Sequence, residues 1–331
     1  MARDLIVNDV VVMTDFGSTE GSRTSLTRAV QLLTRSAPQV LDARRFYDGG
    51  SGRVGWDGST PVLEVPADGI RIRPTVLIIY EIPPADRHRL SRFQQTIRHS
   101  SIACLGADSA AWRNATDKQY TVERFEAVGI PQMESVVLHQ PRPAAAEEAF
   151  ERLGRDVWTR PAVGLGGRDV FHVTDNEQLR RAVARYALSG QQKFLLTRDA
   201  GNFDAQGRRH QYRVVVLGDL VLRVCEHVQP DPDMPCNESQ GARSTLLSPE
   251  ALPPTLASMA IDATRSLGLP LGGVDLAAEN GGEVFEVNVH PVLTGDRGFD
   301  TVAIPFVQAH LAGVASAGHG SRDYSRTGGR R

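Results

Sequence analysis

The chain has 331 residues, enough for two or three packed units at roughly 150 residues each. With 41% hydrophobic and 23% charged residues global disorder is excluded, and 37 basic against 39 acidic residues argue against a nucleic-acid protein. No long apolar run is present, the first residues lack a signal-peptide stretch, and Cys104, Cys225 and Cys236 are too few and scattered for a disulfide framework, so a cytoplasmic enzyme without a membrane span is expected.

Asp9–Met13 reads as a short strand, and Ser22–Leu33 as a helix with Leu26, Ala29, Val30 and Leu33 on one face. Residues 47–60 hold five glycines and read as a loop. Val62–Val65 and Ile70–Ile72, separated by Pro66-Ala-Asp-Gly69, predict a hairpin. Val76–Tyr80 is the strongest strand of this half and is expected at the sheet centre. Arg87–Ile97 predicts a helix and Ile102–Leu105 another strand. This alternation predicts a small α/β unit.

A helix is expected over Asp117–Val128, closed by Gly129 and Pro131, and residues 139–146 read as a polar break. A glycine-rich turn joins extended segments between Arg160 and Val173, and Thr174 with Glu177 suggests a capping box. Phe194–Leu196, Tyr212–Leu217 and Leu220–Val224 read as strands, residues 229–245 as a loop, and Leu256–Leu267 as a helix. The small, polar residues 317–331, with four arginines, predict a disordered basic tail.

Chemistry concentrates at residues 273–289. Asn280-Gly281 is a strong signal for a two-residue type I′ turn. That register sets Asp275 opposite Glu286, with Asn288 two residues further along the same face. The other face carries Val274, Leu276, Phe285, Val287 and Val289. Like charges directly opposite repel, so a positive partner is required and removal of one acid should relieve the ligand-free protein. All-oxygen donors suit Mg²⁺; an exposed polar face would carry the same acids. A second signal is compositional. Only Lys118 and Lys193 are lysine and the other 35 basic residues are arginine, which singles out each lysine as a candidate for a role that arginine does not fill.

Asp117-Lys118 opening a helix that ends at Gly129-Ile-Pro131, Arg160-Pro161 before Gly164, Gly166 and Gly167, Arg213 leading to Gly218, and Asp275 with Glu286-Val-Asn288 follow one another in an order that resembles the ATP-grasp superfamily. The likeness is greatest to its stand-alone carboxylate–amine ligases, such as the glutamate ligases that extend a ribosomal protein and the D-alanine–D-alanine ligases. The resemblance implies an α/β protein of α+β ATP-grasp type: an N-terminal α/β domain (1–110), a central subdomain with the glycine-rich loop (111–196), a C-terminal subdomain with the metal site (197–316), and the tail. The two subdomains would grip ATP.

Residue by residue, the resemblance places Lys118 and Arg160 at the nucleotide phosphates, although the family's residue at the second position is lysine. Gly164, Gly166 and Gly167 would bring backbone N–H groups to phosphate oxygens. Asp199 would meet the ribose, in a hinge that departs from the family pattern. Arg213 would stabilise the transferring group. Asp275, Glu286 and Asn288 would hold one or two Mg²⁺, with Mn²⁺ able to substitute, and Asn237 and Gly241 resemble a substrate loop.

The implied reaction joins a small-molecule carboxylate to an amine through an acyl phosphate, releasing ADP and phosphate. Peptide or antibiotic-like biosynthesis suits such a ligase, and similar ligases are commonly homodimers. An ATP-grasp phosphotransferase and a degenerate nucleotide-binding protein stay open beside it.

Overall fold

A computed structural model describes residues 10–140 and 142–320. The chain divides into two compact units, Met1–Ser109 with Val292–Arg331, and Ala110–Pro291. The segment after Pro291 therefore groups with the first unit rather than with the C-terminal subdomain expected to reach residue 316. No described helix is long and apolar enough to cross a membrane.

The first unit contains β1 (Val10–Thr14), α1 (Ser22–Thr34), β2 (Gln39–Asp42), β3 (Arg53–Asp57), β4 (Thr60–Val65), β5 (Ile70–Ile72), β6 (Val76–Tyr80) and α2 (Ser91–Arg98). A parallel sheet has the order β2-β1-β6. β1 and β6 are buried along their whole length, as uninterrupted apolar runs in parallel sheets are. β1, not β6, is the middle strand. On its other side β6 meets Ala103 through a single bridge, which is what the expected strand at 102–105 amounts to. The expected loop at 47–60 contains β3, which pairs with β4 in an antiparallel sheet of order β3-β4-β5. Pro84–Leu90 forms a 3₁₀ turn, so the helix expected from Arg87 begins at Ser91. The helix Ile304–Gly320 packs on α1 and β6. It includes the first four residues of the expected tail; positions 321–331 lie outside the described residues.

The second unit carries α3 (Ser109–Thr116, begun at the boundary), α4 (Lys118–Val128), β7 (Ser135–His139), α5 (Pro143–Arg152), β8 (Val157–Pro161), β9 (Phe171–Val173), α6 (Asn176–Leu188) and β10 (Lys193–Arg198). It continues with β11 (Arg209–Leu217), β12 (Leu220–Gln229), β13 (Arg243–Leu247), α7 (Pro254–Ser266), β14 (Leu271–Ala277) and β15 (Glu283–Asn288). One antiparallel sheet has the order β7-β10-β8-β9 and the other β13-β12-β11-β14-β15.

α5 and α6 cover one face of the first sheet, where Phe150, Tyr186, Phe194 and Leu196 form a core with Val157 and Val173. α7 covers the second sheet at β11, β14 and β15. Residues 139–146 were expected to break structure, but Pro143 occupies the first turn of α5, where its missing N–H costs nothing. The capping box of α6 sits one residue later than expected: Asp175 accepts from Gln178 N at 2.8 Å, and Gln178 Oε1 accepts from Asp175 N at 3.2 Å.

Candidate nucleotide and metal site

The β14–β15 hairpin turns where expected. Asn280 (φ +55°) and Gly281 (φ +90°) occupy its centre, and Gly282 N–H donates to Glu279 O at 2.9 Å. Asp275 faces Glu286 and Gly273 faces Asn288. Between turn and site the register slips, so Leu276 pairs with Val284 rather than Phe285. Phe285 is the extra residue of a bulge. Val284 takes the core position expected of it, at 1% exposure, while Phe285 is half-buried.

The second sheet sorts its side chains by alternation. A Cβ at Gly272 would touch Thr264 of α7 and Val287, which marks the helix-covered face. Val214, Val216 and Val274 belong to that face by register. Arg213 and Asp275 belong to the opposite one, and they form a bidentate pair, Nε to Oδ1 and Nη2 to Oδ2, both 2.6 Å. Asn288 Nδ2 donates to Asp275 Oδ2 at 3.3 Å. On the first sheet, Arg160 likewise points away from the face that buries Val157. Its Nη1 donates to Phe285 O at 3.0 Å, and its Nε is buried without an acceptor.

Lys118 opens α4, whose N-cap is Asp117, with Oδ1 accepting from Gln119 N at 3.1 Å. Lys118 Nζ lies 3.2 Å from Glu286 Oε2. Lys118, Arg160 and Arg213 thus surround Asp275 and Glu286. Lys118 above all, helped by Arg160 and Arg213 against burial, holds the Glu286 carboxyl at about 2. Burial lifts that of Asp275, with Glu286 adding to the lift and Arg213 and Asn288 opposing it. Two facing carboxylates are thereby driven apart in acidity by their surroundings.

Asp275, Glu286 and Asn288 converge as expected, with two carboxylates and an amide oxygen, a donor set suited to a hard divalent cation. Gly166 and Gly167 adopt φ of +65° and +70°. A Cβ on Gly167 would come within 3.2 Å of Gln240 and 3.3 Å of Pro235, so a side chain would crowd the neighbouring loop. Gly164 has ordinary φ and lies in the same loop.

The 237–241 turn meets this glycine loop through Ser239 Oγ, which donates to Gly166 O at 2.8 Å. Asn237 shapes the turn by accepting from Ser239 N at 3.1 Å, and Gly241 ends it at φ +97°. Asp199, expected at a ribose, accepts from Trp158 Nε1 at 2.6 Å and Gly201 N at 2.7 Å, and pairs with buried Arg209 at 2.7 Å. Arg209 has to be neutralised where it is buried, and Asp199 is the anion that does so. His290 packs edge-on against Trp112 at 4.8 Å.

Sequence reasoning left His227 unplaced. It is 4% exposed, with Nδ1 buried and unpartnered, and it faces Gln211, two residues from Arg213. Burial, with Arg213 and Arg223 adding to it, lowers its pKa to about 4. The Gly218-Asp219 turn alone would pair His227 with His210. A bulge at Val215/Val216 shifts it by one residue onto the face of Arg213, and no residue pattern announced that bulge.

The RimK-like ATP-grasp domain profile matches residues 127–304. The match includes Arg160, Arg213, Asp275, Glu286 and Asn288, while Lys118 precedes it. The large chain of carbamoyl phosphate synthase from Thermus thermophilus is 28% identical over 231 residues, 67% of this chain and 21% of that protein, so the chain spans about a fifth of the relative's length. The D-alanine–D-alanine ligase of Mycobacterium tuberculosis is 26% identical over 124 residues, 38% of this chain and 33% of the ligase.

Two solved structures share the fold. D-alanyl-alanine synthetase A from Vibrio cholerae aligns with a TM-score of 0.67 at 16% identity, covering 94% of this chain and 100% of that one. The ATP-grasp ligase PsnB, complexed with minimal precursor, Mg and ADP, aligns with a TM-score of 0.64 at 18% identity, covering 93% and 98%. With more than half of its length matched by one family profile and its fold shared with ATP-grasp ligases, the chain belongs to the RimK-like ATP-grasp domain family.

Proposed function

We propose that the protein is an ADP-forming carboxylate–amine ligase whose second unit binds ATP between its two sheets. The observation that carries this reading is the convergence of Lys118, Arg160 and Arg213 on Asp275 and Glu286. Three cations against two carboxylates leave a positive excess, and a bound divalent cation would enlarge it. Such a site suits a polyphosphate rather than a neutral ligand. Carbamoyl phosphate synthases and D-alanine–D-alanine ligases among its relatives, and the PsnB complex with Mg and ADP, support the same reading.

In the reaction, a substrate carboxylate oxygen attacks the γ-phosphorus of ATP. The bond from that phosphorus to the β–γ bridging oxygen breaks, giving an acyl phosphate and ADP. An amine then attacks the acyl carbon and loses a proton, and phosphate departs with the carbon–oxygen bond pair. Lys118 and Arg160 hold the nucleotide phosphates, with backbone N–H groups of the loop at Gly164, Gly166 and Gly167 beside them. Arg213 stabilises charge on the transferring group. Asp275, Glu286 and Asn288 hold Mg²⁺, which when bound neutralises phosphate oxygens; Mn²⁺ suits the same donors. The turn from Asn237 to Gly241 lies against the glycine loop and is a candidate substrate contact. The acid and the amine are small molecules or peptide groups, the latter suggested by a PsnB complex with a precursor peptide.

The test incubates the protein with Mg-ATP and panels of amino acids and small peptides as acid and amine. ADP and phosphate formation that requires both partners supports the ligase. ADP with a phosphorylated acid and no amine dependence replaces it with a phosphotransferase. AMP with pyrophosphate replaces the acyl phosphate with adenylation, and no turnover across the panels favours a nucleotide-binding protein.

A further inference from the structure

Lys193, the second of the two lysines, has no part in the proposed phosphate site. Lys193 begins β10, and its side chain is 23% exposed. Its Nζ donates to Asp117 Oδ2 at 2.5 Å and to Gln119 Oε1 at 3.1 Å, and lies 5.4 Å from the centre of the Tyr120 ring. Gln119 is itself oriented, since its Nε2 donates to Glu123 Oε1 at 2.7 Å and leaves Oε1 towards the lysine. The ammonium therefore meets a carboxylate, an amide oxygen and an aromatic face, all from the first turn of α4 and its cap. A compact tetrahedral cation satisfies three such directions, whereas a planar guanidinium does not. In a chain that otherwise uses arginine throughout, this accounts for a lysine here.

We infer that Lys193 is a positioning residue that holds Lys118 at the nucleotide site. The argument rests on the assignment of Lys118 to the phosphates. The N-terminus of α4 is tied to the first sheet at two points. The backbone tie runs from Lys118 N–H to Ala162 O at 2.9 Å, and Ala162 N–H in turn donates to Lys193 O at 3.2 Å. The side-chain tie is Lys193 to Asp117. One tie leaves the helix end free to pivot; two set its orientation, and with it the direction of the Lys118 side chain relative to Arg160, two residues before Ala162. Asp117 is the shared element, because Oδ1 caps the helix while Oδ2 takes the lysine. Without Lys193, the freed Oδ2 carries a charge adjacent to Lys118 and competes for its ammonium.

The experiment measures the affinity for Mg-ADP by calorimetry in wild type, Lys118→Met, Lys193→Met and the double variant, with thermal stability recorded alongside. Lys193→Met is expected to weaken Mg-ADP binding at least fivefold in the wild-type background and to add less than twofold to the loss in Lys118→Met. Any fall in melting temperature should be similar in both backgrounds. Asp117→Asn keeps the helix cap and breaks the ion pair with Lys193, so it should weaken Mg-ADP binding through the lost side-chain tie alone even if Lys193→Met fails to fold.

Equal losses in both backgrounds would assign Lys193 a general structural role and overturn the inference. So would unchanged affinity in Lys193→Met and Asp117→Asn while Lys118→Met is weakened. Absence of Mg-ADP binding by wild type, or unchanged affinity in Lys118→Met, would instead overturn the nucleotide reading on which the inference stands.

Discussion

Lys118 Nζ and Glu286 Oε2 stand 3.2 Å apart, so a cation assigned to the nucleotide and a carboxylate assigned to the metal neutralise each other in the ligand-free protein. The pair reverses an expectation that the residues alone support. Two facing acids suggest that Glu286→Gln relieves repulsion. With Lys118 and Arg160 beside Glu286, the substitution instead leaves two cations short of an anion. Ligand-free Glu286→Gln should lose roughly 1–3 kcal/mol of stability and most Mg-dependent turnover. A melting temperature equal to or above wild type would show that repulsion with Asp275 is the larger effect.

Arg160 offers a contrast between two replacements. Its Nε is buried without an acceptor, a group that lysine does not possess. Arg160→Lys should retain nucleotide affinity to within several-fold, whereas Arg160→Ala should lose the roughly 1–3 kcal/mol of a hydrogen bond to a charged group. Titration with Mg-ADP distinguishes them. Equal affinities in the two variants would remove Arg160 from the phosphates.

The bulge in β15 makes a prediction that an unbroken register would not. Val284, not Phe285, is the core residue opposite Leu276. Val284→Ala should destabilise by about 2 kcal/mol, from two buried carbon groups at roughly 0.8 kcal/mol each plus a small cavity. Phe285→Ala should fall below the roughly 3–5 kcal/mol of a fully buried phenylalanine. Urea unfolding of both variants tests this, and a loss in the full-core range at Phe285 would refute the observed pairing.

Acid should destabilise the protein through its buried histidines. Burial holds His227 and His310 at about 4, so both remain neutral in the folded chain from their ordinary 6.5 down to about 4. The unfolded chain binds protons in that window and the folded chain does not. Their contribution is therefore complete above pH 6.5 and is lost as the pH falls towards 4, by up to about 1.4 kcal/mol per pH unit for each histidine. His210 acts in the opposite sense. Burial lowers its pKa, but hydrogen bonds to Glu279 and Glu226 outweigh that and raise it, so its contribution is complete below its ordinary pKa and fades at higher pH. Melting temperatures of wild type and His310→Gln between pH 8 and 5 should show a shallower acid slope in the variant; identical slopes would contradict a buried neutral His310.

Much of the site was legible because its signals are local. Asn280-Gly281 favours a two-residue turn through the backbone preferences of those residues, and counting outward in twos brings Asp275 to Glu286 and Asn288 to their face. Asp117 caps α4, and Gly129 closes it in a left-handed conformation, for equally local reasons. The elements missed are those whose stability is not local. β7 and β13 are edge strands defined by their neighbours β10 and β12. β3 lies in a glycine-rich stretch and becomes a strand because β4 pairs with it.

The residues by themselves determined the order of the motifs, the hairpin that presents Asp275, Glu286 and Asn288, and the helix that begins at Lys118, since each depends on backbone preference and side-chain period over a few positions. Only the tertiary structure decided which charges neutralise which. Lys118 and Glu286 are separated by most of the second unit's sequence, and Lys193 reaches Asp117 from another strand. Two bulges likewise decided which side chains share a face, moving Phe285 out of the core and His227 towards Arg213. Ion pairing and burial depend on distance and desolvation in the folded chain, and a one-residue slip in a strand reverses the face of every residue beyond it.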